Sequence, residues 1–193
     1  MRIITAMRES VAEVGVVGST FERVAAKADV SRGLLHYYFG TKERLLVEVV
    51  RRDTEIRIET LGAALRRAES TDAIIAAFSD TFARTLTDER GYVYMVSELF
   101  VAGRHSPELR RQLGELYSRA RTEFAAILRQ KERDGIISMR FDVEVVLAHL
   151  FAAGDGASVQ LLTDPSLKPE AAAKGSYAVA RFLLGDGSHA AAP

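Results

Sequence analysis

Arginine, histidine and tyrosine side chains are gathered within seven residues near the amino end of this chain. They lie in the segment 32–38, Arg-Gly-Leu-Leu-His-Tyr-Tyr. Ser31 is placed to cap a short helix here, and Gly40 is placed to end it. Leu35 and Phe39, four residues apart, are expected on its buried side. The remaining guanidinium, imidazole and phenol groups then point outward, where they suit contacts with phosphates and base edges.

A second short helix is predicted just before this one. Ser19 is expected to cap it, with Glu22 three residues later closing a capping box. Asp29-Val30 is expected to form the turn between the two helices. One apolar stripe runs along the first helix at helical spacing: Phe21, Val24, Ala25, Ala28. The pattern predicts a helix-turn-helix that binds DNA, although a helical hairpin with a purely structural role remains open at this point.

Composition sets limits on what else the protein can do. The 193 residues carry equal numbers of basic and acidic side chains, so the net charge is zero. Residues 1–52 hold nine Lys/Arg against six Asp/Glu, which favours a DNA contact confined to the amino-terminal part. Cysteine is absent, which excludes disulfides, thiolate metal sites and a cysteine nucleophile. No apolar run is expected to reach the length of a membrane span, so we predict a soluble, cytoplasmic protein without a membrane partner.

Helical periodicity continues through almost the whole chain, and strand-like alternation does not persist. Gly15 is expected to end a first helix over residues 2–14. Six further helices are expected after the helix-turn-helix, over residues 42–67, 71–86, 91–103, 107–133, 143–162 and 169–184. Their expected caps include Thr41, Ser106 and Asp142. The fold class is therefore all-α, with nine helices, followed by a disordered tail over residues 186–193.

The amino-terminal quarter resembles the tetracycline-repressor-like (TetR) family of bacterial transcriptional regulators. The residues that carry the resemblance are Thr20, Val24-Ala25, Ala28, Val30-Ser31, Gly33, Leu35, Tyr37-Tyr38-Phe39, Lys42-Glu43 and Leu45-Leu46. It implies a three-helix DNA-binding domain over residues 1–46 and a six-helix ligand-binding and dimerisation domain over residues 47–185. It also implies a homodimer that binds a pseudo-palindromic operator and is released by a small-molecule effector.

Carried over position by position, the resemblance assigns two kinds of DNA contact within the set Thr20, Ser31, Arg32, Gly33, Leu34, His36, Tyr37, Tyr38 and Lys42. Arg32, Gly33 and Tyr37 would face base edges. Thr20, His36, Tyr38 and Lys42 would meet phosphates. The family most often has threonine at the position of Leu34 and tyrosine at the position of His36, so the base pairs that are read stay open.

The carboxyl-terminal part is expected to hold the effector in a mostly apolar cavity. The candidate lining residues are Phe78, Phe82, Tyr94, Met95, Tyr117 and Phe124. The candidate polar anchors, expected on inward faces, are Glu98, Arg121, His149 and Asp155. Each could equally belong to a core, and Glu98 with Arg121 could be a structural ion pair.

The last two helices are expected to form the dimer surface, because small residues recur along both of them. No phosphate-binding glycine loop, zinc-spaced histidine set or nucleophile motif is present, so we expect no catalysis, no metal and no cofactor. Two alternatives remain: a helical small-molecule-binding or enzymatic protein without sequence-specific DNA binding, and a module that binds protein through its helical head.

Overall fold

A computed structural model describes residues 2–87, 90–164 and 166–185, with only the backbone at residues 86, 87 and 90. These residues form nine α-helices and no strand, which confirms the all-α fold class. The helices are α1 (Arg2–Gly18), α2 (Phe21–Ala28), α3 (Arg32–Phe39), α4 (Lys42–Arg67), α5 (Thr71–Thr87), α6 (Arg90–Gly103), α7 (Pro107–Arg133), α8 (Val143–Thr163) and α9 (Pro169–Leu184). The predicted tail over residues 186–193 lies outside the described residues.

The chain divides into two compact units, and α4 and α7 contribute to both. Unit 1 comprises residues 1–56 and 88–117, and unit 2 comprises residues 57–87 and 118–193. In unit 1, α1 packs against α2 and α6, and α2 packs against α3. In unit 2, α9 packs against α5 and α8. The predicted division at residue 46 separates DNA binding from effector binding and stays a prediction, because packing units need not coincide with functional ones.

The core of unit 1 fixes the position of the helix-turn-helix. Met7 of α1, Leu35 of α3, Leu45 of α4 and Leu99 of α6 are completely buried in one apolar cluster. An ion pair also joins α1 to α4, in which Arg8 Nε donates to Asp53 Oδ2 at 3.2 Å. Side chains from three other helices thus pack with Leu35 on the inner side of α3, which leaves its other side outward.

The start of α2 differs from the sequence prediction. Thr20, not Ser19, is the N-cap, and its Oγ1 accepts a hydrogen bond from the Arg23 backbone N–H. Ser19 is buried and its hydroxyl donates to the carbonyl oxygen of Gly15 at 2.8 Å. Gly15 leaves the helical conformation as expected, with a φ of 72° that glycine adopts without a steric penalty, yet helical turns resume as far as Gly18. The predicted capping box from Ser19 is therefore wrong.

A second apolar core holds unit 2 together. Leu65 of α4, Ile75 of α5, Leu128 of α7 and Leu147 of α8 are completely buried in it. At the carboxyl end of α9, the backbone of Leu184 accepts a hydrogen bond from the N–H of Ser138. The next residue needs to be glycine, because a Cβ on Gly185 would lie 2.3 Å from the Ser138 carbonyl oxygen.

Helix α8 departs from two expectations. Asp142 occupies its N-cap position, but its side chain makes no capping hydrogen bond. By length and composition α8 is apolar enough to cross a membrane, so the expectation that no segment reaches that length was wrong. Only 17% of the most apolar 18-residue stretch of α8 is buried within the chain. The charged residues Glu144 and Asp155 are too few to lower its mean hydropathy below that of a span.

Candidate nucleic-acid interface

Helix α3 has the caps and the buried side that the sequence predicts. Ser31 is its N-cap, and the Ser31 hydroxyl oxygen accepts from the Leu34 backbone N–H at 3.2 Å. The N–H of Gly40 bonds to the carbonyl oxygen of His36 where the helix ends. Leu35 is completely buried and Phe39 is half-buried. Both ends and one side of α3 are therefore fixed by local hydrogen bonds and packing.

The opposite side of α3 exposes its aromatic and basic residues. Tyr37 is 82% exposed and Tyr38 is 67% exposed. Their rings meet edge to face, with centroids 5.2 Å apart. Arg32 and His36 are exposed as well, and Leu34 is half-buried. Large aromatic side chains in water are unfavourable unless they serve an interaction, so this surface is suited to a partner.

Gly33 lies on the same outward side. Among the described residues, a Cβ placed there would meet only the Ser31 hydroxyl oxygen, at 3.9 Å. Packing within this part of the chain therefore does not require glycine at this position. The missing side chain leaves the α3 backbone open to close approach from outside, as a helix seated in a DNA groove would need.

The two predicted phosphate contacts outside α3 have different surroundings. Thr20 is exposed at the N-terminus of α2. Lys42, the first residue of α4, is half-buried, and its Nζ donates to the carbonyl oxygen of Val16 at 3.2 Å. An ammonium group has three N–H donors, so this bond still allows an additional phosphate contact.

Acidic residues of α1 engage the basic residues of α2. Lys27 Nζ donates to Glu13 Oε1 at 2.7 Å, and Arg23 donates to Glu13 Oε2 at 3.0 Å. These hydrogen bonds, that from Lys27 first, hold the pKa of the Glu13 carboxyl below its ordinary value. The same contact raises the pKa of Lys27. The two cations of α2 are thus paired within the protein, whereas Arg32 of α3 has no carboxylate partner in the described chain.

The predicted effector residues fall in both units. In unit 2, the ring centroids of Phe78 and Phe124 are 6.2 Å apart, and those of Phe124 and Phe151 are 6.1 Å apart. Phe82 is half-buried, and a Cβ on Gly154 would lie 3.6 Å from its ring. Unit 2 therefore gathers an aromatic cluster, which we define as Phe78, Phe82, Phe124 and Phe151.

The candidates in unit 1 have a different environment. Met95 is completely buried in the apolar core of that unit, and Tyr94 is exposed. Tyr117 is half-buried, with its ring centroid 6.0 Å from that of Phe100. Their role in effector binding stays a prediction.

The expected inward orientation of the polar anchors was wrong. Glu98, Arg121, His149 and Asp155 are all exposed. Each belongs to a largely apolar stretch, but a helix exposes some positions of any such stretch, and composition alone does not identify them. His149 shares a hydrogen bond of 2.8 Å with the carbonyl oxygen of Val145 through Nδ1. The pairing of Glu98 with Arg121 stays a prediction.

The geometry of α2 and α3 defines a helix-turn-helix protein. Residues 3–49 match the family of bacterial regulatory proteins called the tetR family. Residues 69–185 match the tetracyclin repressor-like C-terminal domain. The chain therefore belongs to the TetR family of transcriptional regulators, and the resemblance noted in the sequence is confirmed.

Relatives and solved structures agree with that assignment. The chain is 30% identical over 134 residues to the HTH-type transcriptional regulator BetI of Burkholderia thailandensis, covering 66% of this chain and 68% of BetI. The regulator FadR of Bacillus subtilis, solved with stearoyl-CoA, superposes with a TM-score of 0.74 at 20% identity, covering 93% of this chain and 96% of FadR. A regulator from Saccharomonospora viridis, solved with choline, gives 0.75 at 19% identity and 91% coverage of both chains. At these identities the two structures show the shared fold.

Proposed function

We propose that this protein is a ligand-responsive transcriptional repressor that binds a pseudo-palindromic operator as a homodimer. The observation that carries the proposal is the outward side of α3, where Tyr37 and Tyr38 stand exposed beside Arg32. Large aromatic side chains exposed to water are unfavourable unless they serve an interaction, and arginine and tyrosine are suited to base edges and phosphates. A regulator of bacterial genes acts where the chromosome is, so we infer that it is cytoplasmic.

The proposed contacts divide into base readout and positioning. Arg32, Gly33, Leu34 and Tyr37 would face bases, with Gly33 permitting the close approach. An arginine fork on guanine O6 and N7 contributes about 1–3 kcal/mol of discrimination. The phosphate contacts would come from Thr20, Ser31, His36, Tyr38 and Lys42. Such contacts fix the register of the protein but do not distinguish sequences.

Dimerisation is proposed through α8 and α9. Val159 of α8 is 52% exposed and Phe182 of α9 is 55% exposed. Exposed residues recur along α8 at helical spacing: Val145, His149, Ala152, Asp155 and Val159. A long apolar helix with most of its surface uncovered calls for a partner, and a second copy of the chain would bury α8 and α9 together.

Some residues of α8 and α9 are used within the chain instead. Leu183 is buried in the core of unit 2, so it does not contribute to the proposed dimer surface. Gly154 lies against Phe82 of α5. Tyr177 is exposed, but its hydroxyl donates to Asp72 of α5 at 2.9 Å. The proposed dimer surface is therefore limited to the residues of α8 and α9 that these internal contacts leave exposed.

The effector is proposed to bind unit 2 at the aromatic cluster. Two regulators of similar fold carried choline and stearoyl-CoA, so these are the first probes. Aromatic faces suit a quaternary ammonium group, and the same rings suit an acyl chain. A probe that binds the folded protein raises its melting temperature. Phe82→Leu should reduce that rise, whereas Phe141→Leu, at an exposed phenylalanine outside the aromatic cluster, should not. If both variants respond like the wild type, the site lies elsewhere.

The DNA-binding proposal is tested by selecting duplexes from a randomised library with the wild-type protein. A repressor of this kind should enrich a pseudo-palindrome and bind it with a steep salt dependence. Arg32→Ala and Tyr37→Ala should each lower the preference for the selected duplex over a scrambled one. Arg67→Ala, at an exposed arginine in the last turn of α4, should leave that preference unchanged. Failure to enrich any sequence would refute the proposal.

A further inference from the structure

Arg32 and His36 are joined on the outward side of α3. Arg32 Nε donates a hydrogen bond to His36 Nε2 at 3.3 Å, across one helical turn. The imidazole ring also meets the ring of Phe21 in α2 edge to face, with centroids 4.8 Å apart. His36 therefore contacts two residues at once, one polar on its own helix and one aromatic on the neighbouring helix.

This hydrogen bond fixes the tautomer of His36. A ring nitrogen accepts only when it carries no proton, so the proton of neutral His36 must lie on Nδ1. Arg32 in turn uses its Nε, which leaves the two terminal nitrogens of the guanidinium for another partner. Those nitrogens form the end of the fork that can bind guanine O6 and N7 together.

We propose that His36 is a positioning residue for base readout, which holds the guanidinium of Arg32 in the orientation that binds guanine. Phe21 restricts the ring, the ring restricts Arg32, and less side-chain freedom is lost when DNA binds. This role goes beyond the phosphate contact proposed above for His36, because here His36 affects base discrimination through Arg32. The inference rests on the proposed function, since it requires that α3 read DNA.

The role requires neutral His36. A proton on Nε2 would replace the acceptor by a donor and place a second positive charge beside the guanidinium. Base discrimination should then fall, while attraction to phosphates does not.

Helix α2, which packs against α3, carries three charged residues, Glu22, Arg23 and Lys27. Arg23 and Lys27 are bound to Glu13 of α1. Lys42 of α4 donates to Val16. Among the described residues, Arg32 is the one charged group hydrogen-bonded to the imidazole.

The test compares two substitutions of His36. His36→Phe keeps a ring against Phe21 but removes the acceptor. His36→Gln keeps an acceptor oxygen at similar reach. Dissociation constants are measured for two duplexes. One is the pseudo-palindrome selected by the wild type, and the other is the same duplex with the guanines in its two half-sites replaced. The same pair of duplexes is used with Arg32→Ala and with the double variant Arg32→Ala/His36→Phe.

The readout is the dissociation constant for the altered duplex divided by that for the selected duplex, so a high ratio means strong discrimination. His36→Phe should lower it about five- to tenfold, a part of the discrimination that one arginine–guanine contact provides. His36→Gln should keep the wild-type ratio, because its amide oxygen can accept from Arg32 in place of the imidazole nitrogen. In the Arg32→Ala background, His36→Phe should cause no further loss.

Three results would overturn the inference while leaving DNA binding intact. They are a wild-type ratio in His36→Phe, a ratio in His36→Gln as low as that in His36→Phe, or additive losses in the double variant. If the wild-type protein selects no sequence at all, the proposed function itself fails. The two failures are therefore distinguishable.

Discussion

Ser10 and Ser19 form a hydrogen-bonded pair in the interior of unit 1. Ser10 Oγ donates to Ser19 Oγ at 2.9 Å, and both residues are completely buried. The Ser19 hydroxyl in turn donates to the carbonyl oxygen of Gly15 at 2.8 Å. The pair thus ties the body of α1 to the kink that precedes the helix-turn-helix.

Removing the Ser19 hydroxyl should be more costly than removing that of Ser10. Ser19→Ala leaves the Ser10 donor and the Gly15 acceptor without this partner, and a buried group in that state costs about 1–3 kcal/mol. Ser10→Ala leaves the bond from Ser19 to Gly15 intact, so a smaller loss is expected. Urea unfolding of both variants measures the difference. Ser118→Ala, at an exposed serine of α7, is the control, and equal losses in both buried variants would contradict the interpretation.

This pair also shows why the start of α2 was predicted one residue too early. Ser19 and Thr20 are adjacent, and both hydroxyl residues are suitable N-caps. Local pattern cannot separate them, because the choice depends on Ser10, which lies nine residues away and offers Ser19 a buried partner. By contrast, the bounds of α3, α4, α7 and α9 follow from local signals, including Ser31, Pro107 and Pro169.

The side chains proposed to act on ligands were less predictable than the helices. The outward side of α3 could be predicted, since Leu35 and Phe39 define the opposite side of a short amphipathic helix. The contact of His36 with Phe21 could not, because it depends on how α2 meets α3. The exposure of His149 and Asp155 likewise depends on which side of α8 faces α9, and α8 is apolar on most of its circumference.

Two arginines of α1 provide a matched comparison of ion pairs. Arg8 pairs with Asp53, whose side chain is only 11% exposed, whereas Arg2 lies 3.9 Å from Asp29 in a pair whose side chains are 71% and 99% exposed. Arg8→Met should destabilise the protein by about 1–2 kcal/mol, less than a fully buried pair because Arg8 itself is half-exposed. Arg2→Met should change stability by less than about 0.5 kcal/mol. Thermal unfolding of both variants measures the two losses of stability. Equal melting temperatures for Arg8→Met and Arg2→Met would contradict the prediction.

Glu13 should make the stability of unit 1 depend on pH in the acidic range. Its pKa is lowered in the folded state by the hydrogen bonds from Lys27 and Arg23. A lowered pKa means that the contribution is present above the unfolded value and is lost as the pH falls through the folded value. Glu13→Gln should therefore lower the melting temperature at pH 7, and the difference from the wild type should shrink below about pH 4.

The control for this experiment is Glu59→Gln, at an exposed glutamate of α4. It should follow the wild-type pH profile. Lys27 has a raised pKa through the same contact, so its contribution is lost only as the pH rises through the folded value. A difference between Glu13→Gln and the wild type that persists undiminished at pH 3 would contradict the assigned cause.

Dimerisation through α8 can be tested with one charge on its uncovered side. Val159→Glu should keep the fold of the single chain, because Val159 is 52% exposed there. In a dimer the new carboxylate would be buried against apolar surface, and association should weaken by at least about a hundredfold. Sedimentation velocity should show the variant as a monomer at concentrations where the wild type is a dimer. Ala126→Glu, on the exposed side of α7, should remain dimeric. A dimeric Val159→Glu would mean that another surface joins the two copies. Binding to the selected pseudo-palindrome would then be unaffected, since both DNA-binding domains would still reach their half-sites.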